Sequence, residues 1–281
     1  MSDDIPHSLV EEAVRRALAE DLGGRGDVTS LATIPATAES SFELRSRAAG
    51  VLAGTVAATT TFSLVDEGLD VAWRLREGDR LEPGSIIASV QGPARAILTA
   101  ERTVLNFLGR LSGIATLTRA YVDAVNGTGA RIAHTRKTTP GLRALELAAV
   151  VAGGGARHRF GLDDAILIKD NHVAVCGGVG PAVEKARRFA GHMTRIAVEV
   201  DRLEQFDAAL EAGAENVLLD NFSLDALKTA VERARGKGVV LEASGGVNLD
   251  TVRAIAQTGV DVISVGAITH SAVCLDLGLD A

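Results

Sequence analysis

Along residues 131–265, short apolar runs recur, each followed by a polar cluster and then by a stretch with helical spacing. The runs are Arg131–Ala133, Ala165–Ile168, Ile196–Val200, Val217–Leu219, Val239–Leu241 and Val262–Val265. Strands alternating with helices predict a parallel sheet joined by right-handed crossovers. Six such units favour a barrel over an open sheet. The region is short beside the roughly 250 residues of a full eight-fold barrel, so an incomplete or compact α/β barrel is expected.

The first half has another texture. It opens with apolar residues at helical spacing. Ser8, three residues before Glu11, reads as a capping box, and Gly23-Gly24 ends the helix. From about Phe42 to Ile97 the pattern turns to the β-type runs SFELRSR, DVAWRLR and SIIASV. Turn signals at Glu77-Gly78-Asp79 and Pro83-Gly84 separate them. From about Thr99 to Val125, the residues Val104, Leu108, Leu111, Ala115 and Val122 form one apolar stripe. A long helix linking the two halves is predicted there.

The net charge of −7 argues against nucleic acid or an anionic membrane as partner. No apolar run sits behind a basic start, and none approaches the roughly 18–20 residues that span a bilayer. Cys176 and Cys274 are the two cysteines, read as free thiols of a cytoplasmic protein.

Locally the charge reverses. Between Arg131 and His172 lie Arg131, Arg136, Lys137, Arg143, Arg157, Arg159 and Lys169, against Glu146, Asp163, Asp164 and Asp170. His134, His158 and His172 share the segment. A positive island in an acidic chain predicts a small anionic ligand focused into a cleft. Arg suits planar carboxylates through paired hydrogen bonds, whereas Lys acts as a point charge for phosphate. Thr139-Pro140 reads as the N-cap and first residue of a helix running to about Ala152, with its N-terminus beside Arg136 and Lys137.

Polar residues follow the other strands too. In barrels of this kind chemistry gathers where strands end. Ser244-Gly245-Gly246 and Val265-Gly266-Ala267 are glycine loops whose backbone N–H groups could approach a phosphate, or plain tight turns. Glu199 and Asp220 could bind Mg²⁺, hold ribose hydroxyls, or pair with basic residues opposite. Arg102, by itself, reads as an exposed helix residue. No His/Cys spacing suits zinc, and no nucleophile elbow is present.

Several runs together resemble the nicotinate-nucleotide pyrophosphorylase family, also called quinolinate phosphoribosyltransferase. They are EDLGGRGDVTS, AERTVLNFLGRLSGIAT, HTRKTTPGLRALE, GGGARHRFGLDDAILIKDNH, AVEVD, LLDNF and LEASGGVNLDTVRAIAQTGVDVISVGAITHS. TRKTTPGLR with LIKDNH is the most specific pair. The resemblance implies an N-terminal α/β sandwich domain over residues 1–108, with the chain end 271–281 packing back on it. It implies a C-terminal incomplete α/β barrel of parallel strands over 109–270, carrying phosphate-binding loops.

The activity it implies joins quinolinate to phosphoribosyl pyrophosphate. Nicotinate mononucleotide, CO₂ and pyrophosphate are released, on the route to NAD. By the same resemblance Arg136, His158, Arg159 and Lys169 would grip the two carboxylates, with Thr135 in the same loop. Arg102 would reach in from a neighbouring subunit of a homodimer or a dimer-based hexamer. Lys137 would face the pyrophosphate. Glu199 and Asp220 would hold ribose hydroxyls and Mg²⁺, directly or through water, and with Lys137 would be the catalytic groups. Ser244, Gly245, Gly246, Gly266 and His270 would surround the 5′-phosphate. No organic cofactor is implied.

The chain departs from the family pattern at Leu147 and Ala148, where Lys-Tyr is usual, and at Arg157, where Asn is usual. These changes motivate an alternative, a non-catalytic or substrate-shifted phosphosugar-binding paralogue. Transfer to a monocarboxylate such as nicotinate is a third reading. The basic excess opposes it, because one cation cluster would lack its partner.

Overall fold

The computed structural model describes residues 5–281, which form two compact units. One unit comprises the chain up to Arg119, Thr138–Gly154 and Ile268–Ala281; the other comprises Ala120–Lys137 and Gly155–Ala267. Residues 109–119 and 138–154, which the sequence assigns to the barrel, thus fall in the first unit.

In chain order the first elements are α1 (His7–Leu22), α2 (Val28–Thr33), β1 (Glu39–Ser46), β2 (Gly50–Val51) and α3 (Thr55–Val65). Next come β3 (Asp70–Trp73), β4 (Arg80–Leu81), β5 (Ile86–Pro93) and α4 (Ala94–Ala124). The alternating part holds β6 (Arg131–Ala133), α5 (Arg143–Ala152), β7 (Ile166–Ile168), α6 (Asp170–Cys176), α7 (Val179–Phe189) and β8 (Ile196–Val200). It continues through α8 (Leu203–Glu211), β9 (Asn216–Asp220), α9 (Leu224–Ala234), β10 (Val240–Ser244), α10 (Val252–Ala256) and β11 (Val262–Ser264). The chain closes with α11 (Ala267–His270) and β12 (Leu277–Asp280). Among the described residues no helix is long and apolar enough to cross a membrane.

In the first unit an antiparallel sheet of order β12-β1-β5-β3 packs one face on helices. Alternate side chains of a strand share a face. Leu44 of β1 and Val90 of β5 therefore enter the core with Leu52, Phe62, Ile97, Val104 and Leu108. The chain end joins this sheet, with Leu277 paired to Ser46 and Asp280 to Glu43.

Three local expectations fail here. Helix α1 starts at His7 behind Pro6 and has no side-chain cap. Ser8 lies inside its first turn, and Glu11 instead accepts from Arg15 at 2.7 Å. Helix α3 occupies part of the region read as β-type, because Thr-rich sequence favours strands. Tertiary contacts reverse that preference: Glu77 accepts from the N–H groups of Gly54 at 2.8 Å and Thr55 at 2.6 Å, at the helix start. Burial raises the Glu77 pKa, against the lowering effect of these hydrogen bonds. Helix α5 begins at Arg143 rather than Pro140. Gly141, at φ 81°, is in the left-handed region and cannot continue a helix.

The second unit is a parallel sheet of six strands in the order β6-β11-β10-β9-β8-β7. The strands match the apolar runs. Ile132, Val198, Val217, Leu219, Leu241 and Ile263 are buried, as expected for parallel strands covered on both faces. Register aligns the carboxyl ends: Ser244 pairs with Asp220, and Ser264 with Ala133. The loops after these strands therefore start from one edge of the sheet.

Candidate active site

At the end of β6, His134 is buried, while Thr135 and Arg136 are half-buried and Lys137 is exposed. The Lys137 N–H donates to Thr135 Oγ1 at 3.1 Å, which tightens the turn. The loop entering β7 brings His158 and Arg159, both half-buried. Arg159 donates from Nη1 to the carbonyl of Ala165 at 3.1 Å. Its Nε, and that of Arg136, are buried without a hydrogen-bond partner in the protein. Burial lowers the Arg159 pKa, and the nearby positive charge of Arg136 lowers it further. Two partly buried guanidinium groups thus repel one another at one place.

Lys169 follows β7 and caps α6, where its N–H donates to His172 Nδ1 at 3.0 Å. Its ammonium lies 2.5 Å from Glu199 Oε2, across adjacent parallel strands. Asp220 ends β9 and accepts from Asn221 Nδ2 at 2.8 Å. Asn221 holds the next loop as well, donating its N–H to the Ser244 carbonyl at 2.9 Å. Gly245 sits at φ 90°, and a Cβ there would run into Asn221 Oδ1. The glycine is therefore required by the close approach of two strand-end loops. Asn248 caps the following turn, accepting from Asp250 and Thr251 at 3.0 Å. Gly246 and Gly266 lie in the loops after β10 and β11.

Two of the predicted residues belong to the first unit. Arg102 is exposed on α4, and His270 is exposed at the end of α11, with Nδ1 at 2.7 Å from Ser271 Oγ. Thr139 also lies in this unit and does not cap a helix. Its N–H and hydroxyl donate to Glu146 at 3.0 and 2.8 Å. Glu146 is fully buried and accepts from Arg110 Nη2 at 2.8 Å. Arg110 also donates to the Ala272 carbonyl at 3.0 Å and bonds the Thr269 carbonyl. Of the departures, Leu147 is buried within α5 and Arg157 is exposed.

Two further polar groups at the strand ends carry no assigned role in the sequence reading. His134 is buried to 1% exposure, and its Nε2 accepts from the His158 N–H at 3.0 Å. Burial first, and the neighbouring His158 second, push its pKa down to about 4. Glu242 lies in β10, level with Glu199, each registered against Leu218. Glu242 Oε2 is 3.3 Å from His158 Nε2. The available signal was a carboxylate interrupting the apolar run VLEAS.

Known proteins share this architecture. Residues 27–112 match the family model for the N-terminal domain of quinolinate phosphoribosyl transferase, and residues 114–280 match that for its C-terminal domain. A nicotinate-nucleotide pyrophosphorylase [carboxylating] from Mycobacterium leprae is 46% identical, over 100% of both chains. A probable one from Bacillus subtilis is 42% identical, over 98% of this chain and 94% of that one. The solved nicotinate-nucleotide pyrophosphorylase from Francisella tularensis superposes with a TM-score of 0.95 at 38% identity, covering 99% of this chain and 98% of that one. On these grounds the chain belongs to the quinolinate phosphoribosyltransferase family.

Proposed function

We propose that this chain transfers the phosphoribosyl group of phosphoribosyl pyrophosphate to quinolinate with loss of CO₂, giving nicotinate mononucleotide and pyrophosphate for NAD synthesis. Family membership supports the reaction. The observation that carries the substrate assignment is the Arg136–Arg159 pair. Like charges brought together by burial are costly unless an anion lies between them. A planar carboxylate offers each guanidinium two acceptor oxygens. Lys169, ion-paired with Glu199 in this structure, would turn to the second carboxylate as a third cation, which suits a dicarboxylate better than nicotinate. Thr135 and His158 belong to the same group.

The residues suit Mg²⁺ in part. Among the described residues no cluster of three or more His, Cys, Asp or Glu could form an all-protein metal cage. Glu199 and Asp220 are two hard oxygen ligands at adjacent strand ends, the small set Mg²⁺ uses when substrate phosphates and water complete its shell. They would hold the ion directly or through water. Bound there with the substrate, Mg²⁺ would stabilise negative charge on the departing pyrophosphate.

The remaining work falls to the side chains. The Arg and Lys cluster holds the acceptor so that its ring nitrogen faces the anomeric carbon of the ribose. The nitrogen lone pair forms the new C–N bond as the bond to pyrophosphate breaks. Lys137 accompanies the pyrophosphate. Glu199 and Asp220 hold the ribose hydroxyls and stabilise positive charge growing on the sugar. The resulting pyridinium accepts the electron pair of the breaking C–CO₂ bond, and a proton then replaces the lost carboxylate. Ser244, Gly245, Gly246 and Gly266 bind the 5′-phosphate.

In this reading the protein is cytoplasmic and works as a homodimer or dimer-based hexamer, with Arg102 entering the site of a neighbouring subunit. The test is a product assay with quinolinate, phosphoribosyl pyrophosphate and Mg²⁺, leaving out one at a time. Nicotinate mononucleotide should form only with all three. No product in the complete mixture would refute the proposal. For the shared site, an Arg102→Ala chain mixed with a Lys169→Ala chain should regain activity. Mixed dimers that stay inactive would refute it.

A further inference from the structure

One ion pair ties up two groups that different substrates need. Lys169 Nζ lies 2.5 Å from Glu199 Oε2, with the lysine side chain 46% exposed and the glutamate side chain 14% exposed. They come from neighbouring parallel strands, where Ile168 is registered against Val198, so each follows its registered residue by one position. Glu199 lies within β8, whereas Lys169 follows β7. The Lys169 main chain is held twice. Its N–H donates to His172 Nδ1 at 3.0 Å, and its carbonyl accepts from the Val173 N–H at 3.0 Å. The long lysine side chain can therefore swing on a fixed backbone, while Glu199 stays with the sheet. In the proposed reaction Lys169 serves an acceptor carboxylate and Glu199 serves the ribose hydroxyls. Neither can do so while each neutralises the other.

We infer that the Lys169–Glu199 pair is a latch that couples the two substrates: a dicarboxylate draws Lys169 away and so opens Glu199 to the ribose of the phosphoribosyl donor, and each substrate thereby tightens the binding of the other. This rests on the dicarboxylate reading above and adds how the two halves of that site communicate. When Lys169 leaves, a half-buried carboxylate loses its counter-charge, which is costly. Hydroxyl donors of the ribose relieve that cost. The converse also holds. A donor that engages Glu199 releases Lys169 for a carboxylate, and coupling between two ligands is reciprocal. The sign separates the latch from plain electrostatics. Two anions in one cleft repel, so without the latch each would weaken the binding of the other. Because Lys169 is nearly half exposed, the coupling sits at the low end for a charge-assisted hydrogen bond, about tenfold.

The test is calorimetric binding to the full-length protein at constant Mg²⁺. The probes are phosphoribosyl pyrophosphate and benzene-1,2-dicarboxylate, which carries both carboxylates but lacks the reacting nitrogen, so no turnover intervenes. Saturating dicarboxylate should lower the Kd of phosphoribosyl pyrophosphate by about tenfold, and the reverse titration should give the same factor. Glu199→Gln keeps the shape but not the charge. It should bind the dicarboxylate alone about fivefold more tightly than the parent, because Lys169 is already released, and its coupling should fall below about twofold. In a Lys169→Met background the same glutamine exchange should leave dicarboxylate affinity within about twofold.

Independent or antagonistic binding of the two probes to the parent would overturn the inference. So would coupling that survives Glu199→Gln. Tightening by that exchange that persists without Lys169 would also overturn it, because general repulsion would then explain the gain. A parent that binds no benzene-1,2-dicarboxylate would refute the dicarboxylate reading and the inference with it. Binding of both probes without coupling would overturn the inference alone and leave that reading standing.

Discussion

Replacing Glu146 by alanine removes the acceptor at the centre of a buried cluster in the first unit. Its carboxylate is 0% exposed and binds Arg110 at 2.8 Å, the Thr139 N–H at 3.0 Å and the Thr139 hydroxyl at 2.8 Å. Without it, the Arg110 guanidinium, 23% exposed, loses its counter-charge, and two donors of Thr139 lose their acceptor. Removing one partner of a buried ion pair costs about 3–5 kcal/mol, mostly the penalty of the charge left behind. Glu146→Gln keeps one neutral acceptor and should cost about half as much. Exchanging both partners together, Glu146→Leu with Arg110→Met, should recover much of the loss, since no orphan charge remains. Urea unfolding followed by fluorescence of Trp73, the single tryptophan, reports this unit. The midpoint should fall in the order parent, glutamine, alanine with an unchanged slope. A loss under about 1 kcal/mol for alanine, or a double variant no better than the alanine one, would refute the reasoning.

Other outcomes follow from the second unit. Arg136→Lys and Arg159→Lys keep the charge but lose the planar fork, so each should weaken quinolinate binding by about 10- to 100-fold, with KM for phosphoribosyl pyrophosphate little changed. Equal loss for both substrates would contradict the carboxylate assignment. His134 ties stability to pH. In the unfolded chain it takes a proton near its ordinary pKa of 6.5, whereas burial in the folded protein holds that off until about 4. The unfolded state therefore binds more protons in this window. Its contribution is complete above pH 6.5 and is lost as pH falls towards 4, by about 3 kcal/mol in all. Thermal unfolding across that range should show a flatter profile for His134→Gln, and an unaltered one would contradict the assignment.

Much of the barrel was legible because parallel strands buried on both faces leave continuous apolar runs. Val198, Val217, Leu241 and Ile263 all lie in runs read from the pattern. The strand-end residues were legible for the related reason that sheet topology gathers them on one edge. What escaped depends on partners distant in sequence. Helix α3 starts where Glu77 reaches back across more than 20 residues to Thr55. Thr139-Pro140 carries a helix-start signature, yet Glu146 takes both donors of Thr139 and Gly141 turns left-handed. Glu242 comes within 3.3 Å of His158 Nε2 although 84 positions separate the two along the chain, a distance no local pattern spans.

The most direct test of the dicarboxylate reading is stoichiometry within one reaction. Quinolinate carrying ¹³C in the carboxyl next to the ring nitrogen is supplied with phosphoribosyl pyrophosphate and Mg²⁺. Labelled CO₂, pyrophosphate and nicotinate mononucleotide are then counted together. The expected result is one labelled CO₂ per pyrophosphate, and far slower pyrophosphate release when nicotinate replaces quinolinate. Pyrophosphate release without labelled CO₂, or equal rates with the two acceptors, would contradict the assignment of Arg136, Arg159 and Lys169 to two carboxylates.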